Sequence, residues 1–120
     1  MGWVAAFVGG GIGSVLRMGV GRWTLLQWGT AFPWGTLIVN VVGSFLIGLL
    51  AARLSAFEAN YTLRLFLVTG LLGGFTTFSA FSLDSMTLWQ RGQAGTALAY
   101  VAASLLLSLA AAPLGFLAGR

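Results

Sequence analysis

The sequence predicts an all-α membrane protein with four transmembrane helices per chain. Three observations carry that reading. The chain is 58% hydrophobic and only 7% charged, and its eight charged side chains compare with about thirty in an average soluble domain of this length. A soluble fold of 120 residues exposes too much surface to hide so much apolar material, and disordered chains are polar and poor in aromatics. Finally, the charges leave long uncharged runs, Pro33 to Ala52, Leu65 to Leu83 and Gly92 to Gly119, where a membrane helix needs about 20 apolar residues.

Each span can be justified in turn. Met1 to Leu16 is short alone, so the first helix is expected to continue past Arg17, over roughly 2–26. It has no basic residues ahead of its apolar stretch, and Arg17 stands where a cleavage region would lie, so a retained helix is expected over a signal peptide. The second span covers 33–52, the third 62–89 and the fourth 95–118, as a single transmembrane domain over 1–120. The connections leave no room for a soluble domain. Trp23, Trp28, Trp34 and Trp89 fall near span ends, where an interfacial aromatic belt would stand.

Composition also removes whole classes of chemistry. The sequence has no His and no Cys, and all six basic residues are Arg: Arg17, Arg22, Arg53, Arg64, Arg91 and Arg120. Zinc, iron–sulfur and haem sites lack their usual ligands. With Glu58 and Asp84 as the only acids, most acid–base and covalent catalysis is out of reach, so no enzyme is expected, and no nucleic-acid partner. The Gly9–Gly13 cluster resembles a nucleotide-binding loop only superficially, because no strand precedes it and no acid follows at the required distance.

The arginines bear on topology. With four spans both termini share one side, which would hold Arg53, Arg64 and Arg120, while the other would hold Arg17, Arg22 and Arg91. The positive-inside rule sets orientation by an imbalance of Lys and Arg, and three against three provides none. The expectation is dual topology and an antiparallel two-fold homodimer.

Glycines punctuate the spans. Gly9/Gly13, Gly70/Gly74 and Gly115/Gly119 have the spacing that lets membrane helices approach closely. The stretch Gly73-Gly-Phe-Thr-Thr77 is poor helix-forming chemistry in the middle of the third span. A break there would be tolerated only where freed backbone groups find partners, and a discontinuous helix presents carbonyls able to hold a cation. A simple kink is the plainer reading.

Two polar stripes run along the spans. Thr36, Asn40 and Ser44 on the second, and Tyr100, Ser104 and Ser108 on the fourth, repeat every four residues, each lining about 12 Å of one helix face. All six groups can donate hydrogen bonds while uncharged. Hydroxyls in such helices often serve only the backbone or a neighbouring helix, but two stripes beside a weak helix suggest a polar path for a small anion. Phe75, Phe78 and Phe81 stand nearby. Aromatic rings have positive edges, which would bind an anion without trapping it as a full cation would. Packing alone is the other reading of the same rings.

Asn40 within Gly35-Thr-Leu-Ile-Val-Asn-Val-Val-Gly-Ser-Phe45, Gly73-Gly-Phe-Thr-Thr-Phe-Ser-Ala-Phe81, the Gly11-Ile-Gly-Ser-Val-Leu-Arg17 motif and the Tyr/Ser stripe of the fourth span together resemble the small bacterial fluoride channels of the Fluc (CrcB) family. The likeness covers nearly the whole chain. It implies an antiparallel dual-topology dimer in the cell inner membrane, with two fluoride pores and passive export of cytoplasmic fluoride. It implies a structural sodium ion at the dimer centre, held by backbone carbonyls matching Gly73 and Thr76. Phe78 and Phe81 match the ring-edge phenylalanines, Asn40 a pore-lining amide donor, and Tyr100, Ser104 and Ser108 a polar track, with Thr36 and Thr77 assigned to the same pore. Arg17 matches an arginine near the aqueous vestibule. Phe75 is left as packing, and Asp84 stands where relatives often carry Glu. The alternative is a small dual-topology, proton-coupled multidrug or guanidinium exporter. That mechanism expects a carboxylate in the first span, and residues 1–28 hold none.

Overall fold

A computed structural model describes residues 1–53 and 60–120; Glu58 lies outside the described residues. The chain forms four helical spans long and apolar enough to cross a membrane: Gly2–Trp28, Trp34–Ala52, Tyr61–Gln90 and Ala94–Gly119. They make an elongated bundle of 51 × 29 × 22 Å. Most of the large apolar side chains face outward, among them Phe7 on the first span and Leu106, Leu109 and Leu117 on the fourth. Outward-facing leucine and phenylalanine suit a helix surrounded by lipid.

Short reversals set the antiparallel order. Gly29 and Gly92 end their helices at φ 73° and 76°, a conformation that costs glycine least. The third span starts on Asn60, whose side-chain oxygen accepts from the Leu63 amide at 2.9 Å, an N-cap. At the opposite end, Arg53 Nε donates to the Gly119 carbonyl at 2.6 Å. That bond joins the end of the second span to the last turn of the fourth, where orphan carbonyls need donors.

Glycine decides which spans touch. A Cβ on Gly13 would strike the Leu71 carbonyl, and one on Gly70 would come within 2.9 Å of the Ala6 carbonyl and 3.0 Å of Gly9 Cα. The first span therefore lies backbone to backbone on the upstream part of the third. The second span meets the fourth in the same way: a Cβ on Gly48 would strike the Ala112 carbonyl, and one on Gly115 the Phe45 carbonyl. Close approach replaces the hydrophobic drive that lipid cannot supply.

The third span is built in pieces. After one α-helical turn, Tyr61–Arg64, residues Leu65–Leu72 wind as a π-helix and Gly73–Phe75 return to α geometry. Thr76 and Thr77 then take extended backbone, with φ/ψ of −88°/159° and −155°/124°. Helix resumes over Phe78–Gln90 with Thr77 as N-cap, its hydroxyl accepting from the Ala80 amide at 3.1 Å. A π-helical stretch followed by glycines and β-branched residues is a weak helix by propensity.

Candidate functional site: a polar cleft at the Thr76–Thr77 link

The link lies against a cavity of about 390 Å³ whose wall includes Asn40, Gly43, Ser44, Leu72, Gly73, Thr76, Thr77, Phe78, Phe81, Ser104 and Ser108. Second, third and fourth spans all contribute. Gly43 makes the wall possible, because a Cβ there would strike the Thr76 methyl. The stripe residues Asn40, Ser44, Ser104 and Ser108 thus meet the phenylalanines around one space. Thr36, Tyr100 and Arg17 stand outside that wall.

Asn40 bonds the link through both ends of its side-chain amide. Its Nδ2 donates to the Thr77 carbonyl at 3.0 Å, and its Oδ1 accepts from the Thr77 amide at 2.8 Å. The side-chain amide pairs with the backbone much as a neighbouring strand would, satisfying both groups that the interrupted helix leaves open. Each such bond contributes about 1 kcal/mol net, and leaving a buried one unmade costs more. One Asn40 N–H remains for another acceptor.

Arg17 serves the other side of the link. It sits within the first span, and its Nε donates to the Gly74 carbonyl at 3.1 Å, in the last turn before the extended residues. A cation at a helix C-terminal end is favoured by the aligned peptide dipoles. The Leu72 carbonyl accepts from both the amide and the hydroxyl of Thr76, at 3.0 and 2.9 Å. Among the described residues, no protein donor reaches the carbonyls of Gly73, Phe75 or Thr76.

The hydroxyls of Ser104 and Ser108 are buried and have no hydrogen-bond partner among the described residues. Both line the cleft, and a buried polar group without a partner calls for a ligand or water. Phe78, 75% exposed, and Phe81 lie with ring centroids 5.5 Å apart and planes inclined at 54°. Phe81 in turn packs 5.4 Å from the Tyr100 ring, which is wholly buried.

Tyr100 reveals what Asp84 does. The tyrosine hydroxyl donates to Asp84 Oδ2 at 3.1 Å. The acid at this position is therefore tied to the fourth span, and the Tyr100 proton is already given. Phe32 closes the cluster edge-on to Tyr100 at 5.5 Å. Sequence spacing gives no sign of the Tyr100–Asp84, Asn40–Thr77 or Arg17–Gly74 bonds, since all three cross between spans. Gly43 precedes Ser44 on a polar face, and a small residue there is the signal that something packs against it.

The family profile described as CrcB-like protein, Camphor Resistance (CrcB), matches residues 4–116. The chain belongs to this family. A protein of Rhizobium johnstonii named fluoride-specific ion channel FluC is 60% identical over 104 residues, covering 86% of this chain and 83% of the relative. Proteins of the same name from Agrobacterium fabrum and Paracoccus denitrificans are 55% identical over 113 residues and 53% over 117, covering 93% and 94% of this chain and 90% of each relative. The family groups this chain with ion channels and not with enzymes.

Proposed function

We propose that the protein is a fluoride-selective ion channel that lets cytoplasmic fluoride leave passively through the cell inner membrane. The observation that carries the reading is the pair of buried serine hydroxyls, without a partner among the described residues, that share one cleft lining with Phe78 and Phe81. Fluoride is a small, strongly hydrated acceptor. Hydroxyl donors and ring edges can replace part of its water shell without the grip of a fixed cation. The helix beginning at Phe78 adds to this, because its first amides lack intrahelical acceptors and its N-terminus is the positive end of its dipole. Relatives bearing the name of fluoride-specific channels support the choice of ion.

In this reading Asn40, Thr77, Phe78, Phe81, Ser104 and Ser108 line the conduction path. Thr36 and Tyr100 extend the polar track toward one mouth, and Arg17 serves the vestibule. The working unit is an antiparallel dual-topology homodimer with two pores. A single chain leaves Phe78 and much of the cleft open, which suits pores completed by a second copy. The carbonyls of Gly73 and Thr76, without a donor among the described residues, fit a central sodium ion, since hard cations take oxygen ligands. Bound there, sodium would neutralise carbonyls of the interrupted helix and tie two chains together.

Purified protein reconstituted in liposomes tests the reading. Fluoride is expected to leave passively, far faster than chloride, and without dependence on a proton gradient. Absence of flux, or flux that follows the proton gradient, would sink it. A C-terminal tag detected on one side of the membrane only would overturn the dual topology alone.

A further inference from the structure

We infer that Arg17 and Asn40 are positioning residues that clamp the extended Thr76–Thr77 link from both sides and so decide which of its carbonyls remain available. The inference rests on the channel reading only for its consequence on ion flux. Two bonds from the second span reach the link itself, and one from the first span reaches the helical turn just before it. Arg17 Nε takes the Gly74 carbonyl upstream at 3.1 Å. Asn40 takes both the carbonyl and the amide of Thr77 downstream, at 3.0 and 2.8 Å. Between these two anchors lie the residues that leave helical geometry, and the Gly73, Phe75 and Thr76 carbonyls are left without a protein donor among the described residues.

An extended pair between two helices has few ways to hold its shape. Only the Thr76 amide and hydroxyl, both bonded to Leu72, restrain it from within the upstream helix. Without the clamp, the Thr77 peptide has no fixed partner, and it can rotate its carbonyl toward the cleft. A carbonyl in that wall would repel an anion that the serine hydroxyls and ring edges attract. Asn40 therefore acts on the ion chiefly through the Thr77 backbone, by holding an acceptor away. Arg17 acts similarly by occupying the Gly74 carbonyl.

Site-resolved amide hydrogen exchange on the purified protein reads the clamp directly, and fluoride-against-chloride flux reads its consequence. Asn40→Leu is expected to speed exchange of the Thr77 amide by about tenfold or more, as befits loss of a bond to a locally opening segment. Protection in the first and fourth spans should persist. Asn40→Asp keeps the acceptor for the Thr77 amide but loses the donor to its carbonyl. It should therefore preserve protection of that amide and still lower the fluoride-to-chloride flux ratio. Arg17→Gln should lower that ratio as well, and the double variant Arg17→Gln with Asn40→Asp should be little worse than the poorer single change, because both act on one element. Unchanged Thr77 exchange in Asn40→Leu would overturn the clamp, as would exchange accelerated alike in all spans. Absence of fluoride flux in the unmodified protein would refute the channel and leave the exchange result to judge the clamp.

Discussion

The two glycine seams and the cleft between them use opposite means to bring backbone together. At Gly13, Gly70, Gly48 and Gly115 the spans approach so closely that a single added methyl would strike a neighbouring carbonyl. There close backbone packing does most of the joining, with one arginine–carbonyl bond beside each seam. At Thr76–Thr77 the backbone turns extended, and side chains from two other spans bond the Gly74 carbonyl and the Thr77 amide and carbonyl. The seams make a frame that cannot yield, and the frame carries a short segment whose shape depends on three polar contacts. A membrane protein this small separates stability from chemistry in that way.

Substitution at the seams should have the largest effect. Gly13→Leu or Gly48→Leu is expected to cost about 3 kcal/mol or more through overpacking against backbone, leaving no monodisperse protein on size-exclusion chromatography. Gly11 and Gly19 face open space, so Gly11→Ala and Gly19→Ala should purify normally. Equal behaviour of the two sets would erase the contrast between frame and surface.

In the cleft, effects should fall on flux and spare the fold. Phe81→Ile or Phe78→Ile removes a ring edge, and a lost contact of that kind corresponds to about a tenfold drop in fluoride efflux with the oligomer intact by cross-linking. Full efflux in both variants would remove the ring-edge account. Smaller still is the change expected from Ser104→Ala or Ser108→Ala, about two- to tenfold in efflux. Because these hydroxyls have no partner among the described residues, thermal stability should hold or rise. A fall in stability together with unchanged flux would move the serines from the cleft to the frame.

The frame is largely legible in the sequence, and the reason is periodicity. Hydropathy, Pro33 and the spacing of Arg53, Arg64 and Arg91 separate four spans, and the four-residue interval of Gly9/Gly13, Gly70/Gly74 and Gly115/Gly119 marks the faces that pack. That interval does not say which face meets which. Only the assembled bundle pairs the first seam with Gly70/Gly74 and the other with Gly48. The stripes likewise reveal Asn40, Ser104 and Ser108 as neighbours along a helix, and the cleft unites them. What the sequence does not disclose is how each polar group spends its hydrogen bonds. Asn40 reads as a free donor and is found paired with Thr77. Tyr100 reads as part of the track and is found donating to Asp84. Such contacts join residues 16 to 57 positions apart, and no local pattern encodes them.

The bond from Arg17 to Gly74 also bears on how the chain is made. A guanidinium within a membrane helix costs about 2.5–3.5 kcal/mol on insertion until it is compensated. Its acceptor lies 57 residues further along, which at the usual pace of synthesis is about 3 to 11 seconds of elongation. During that interval the Arg17 guanidinium lacks the carbonyl it bonds in the folded chain. Synthesis of the third span supplies it, so the Arg17–Gly74 bond can form only after more than half of the protein has been made.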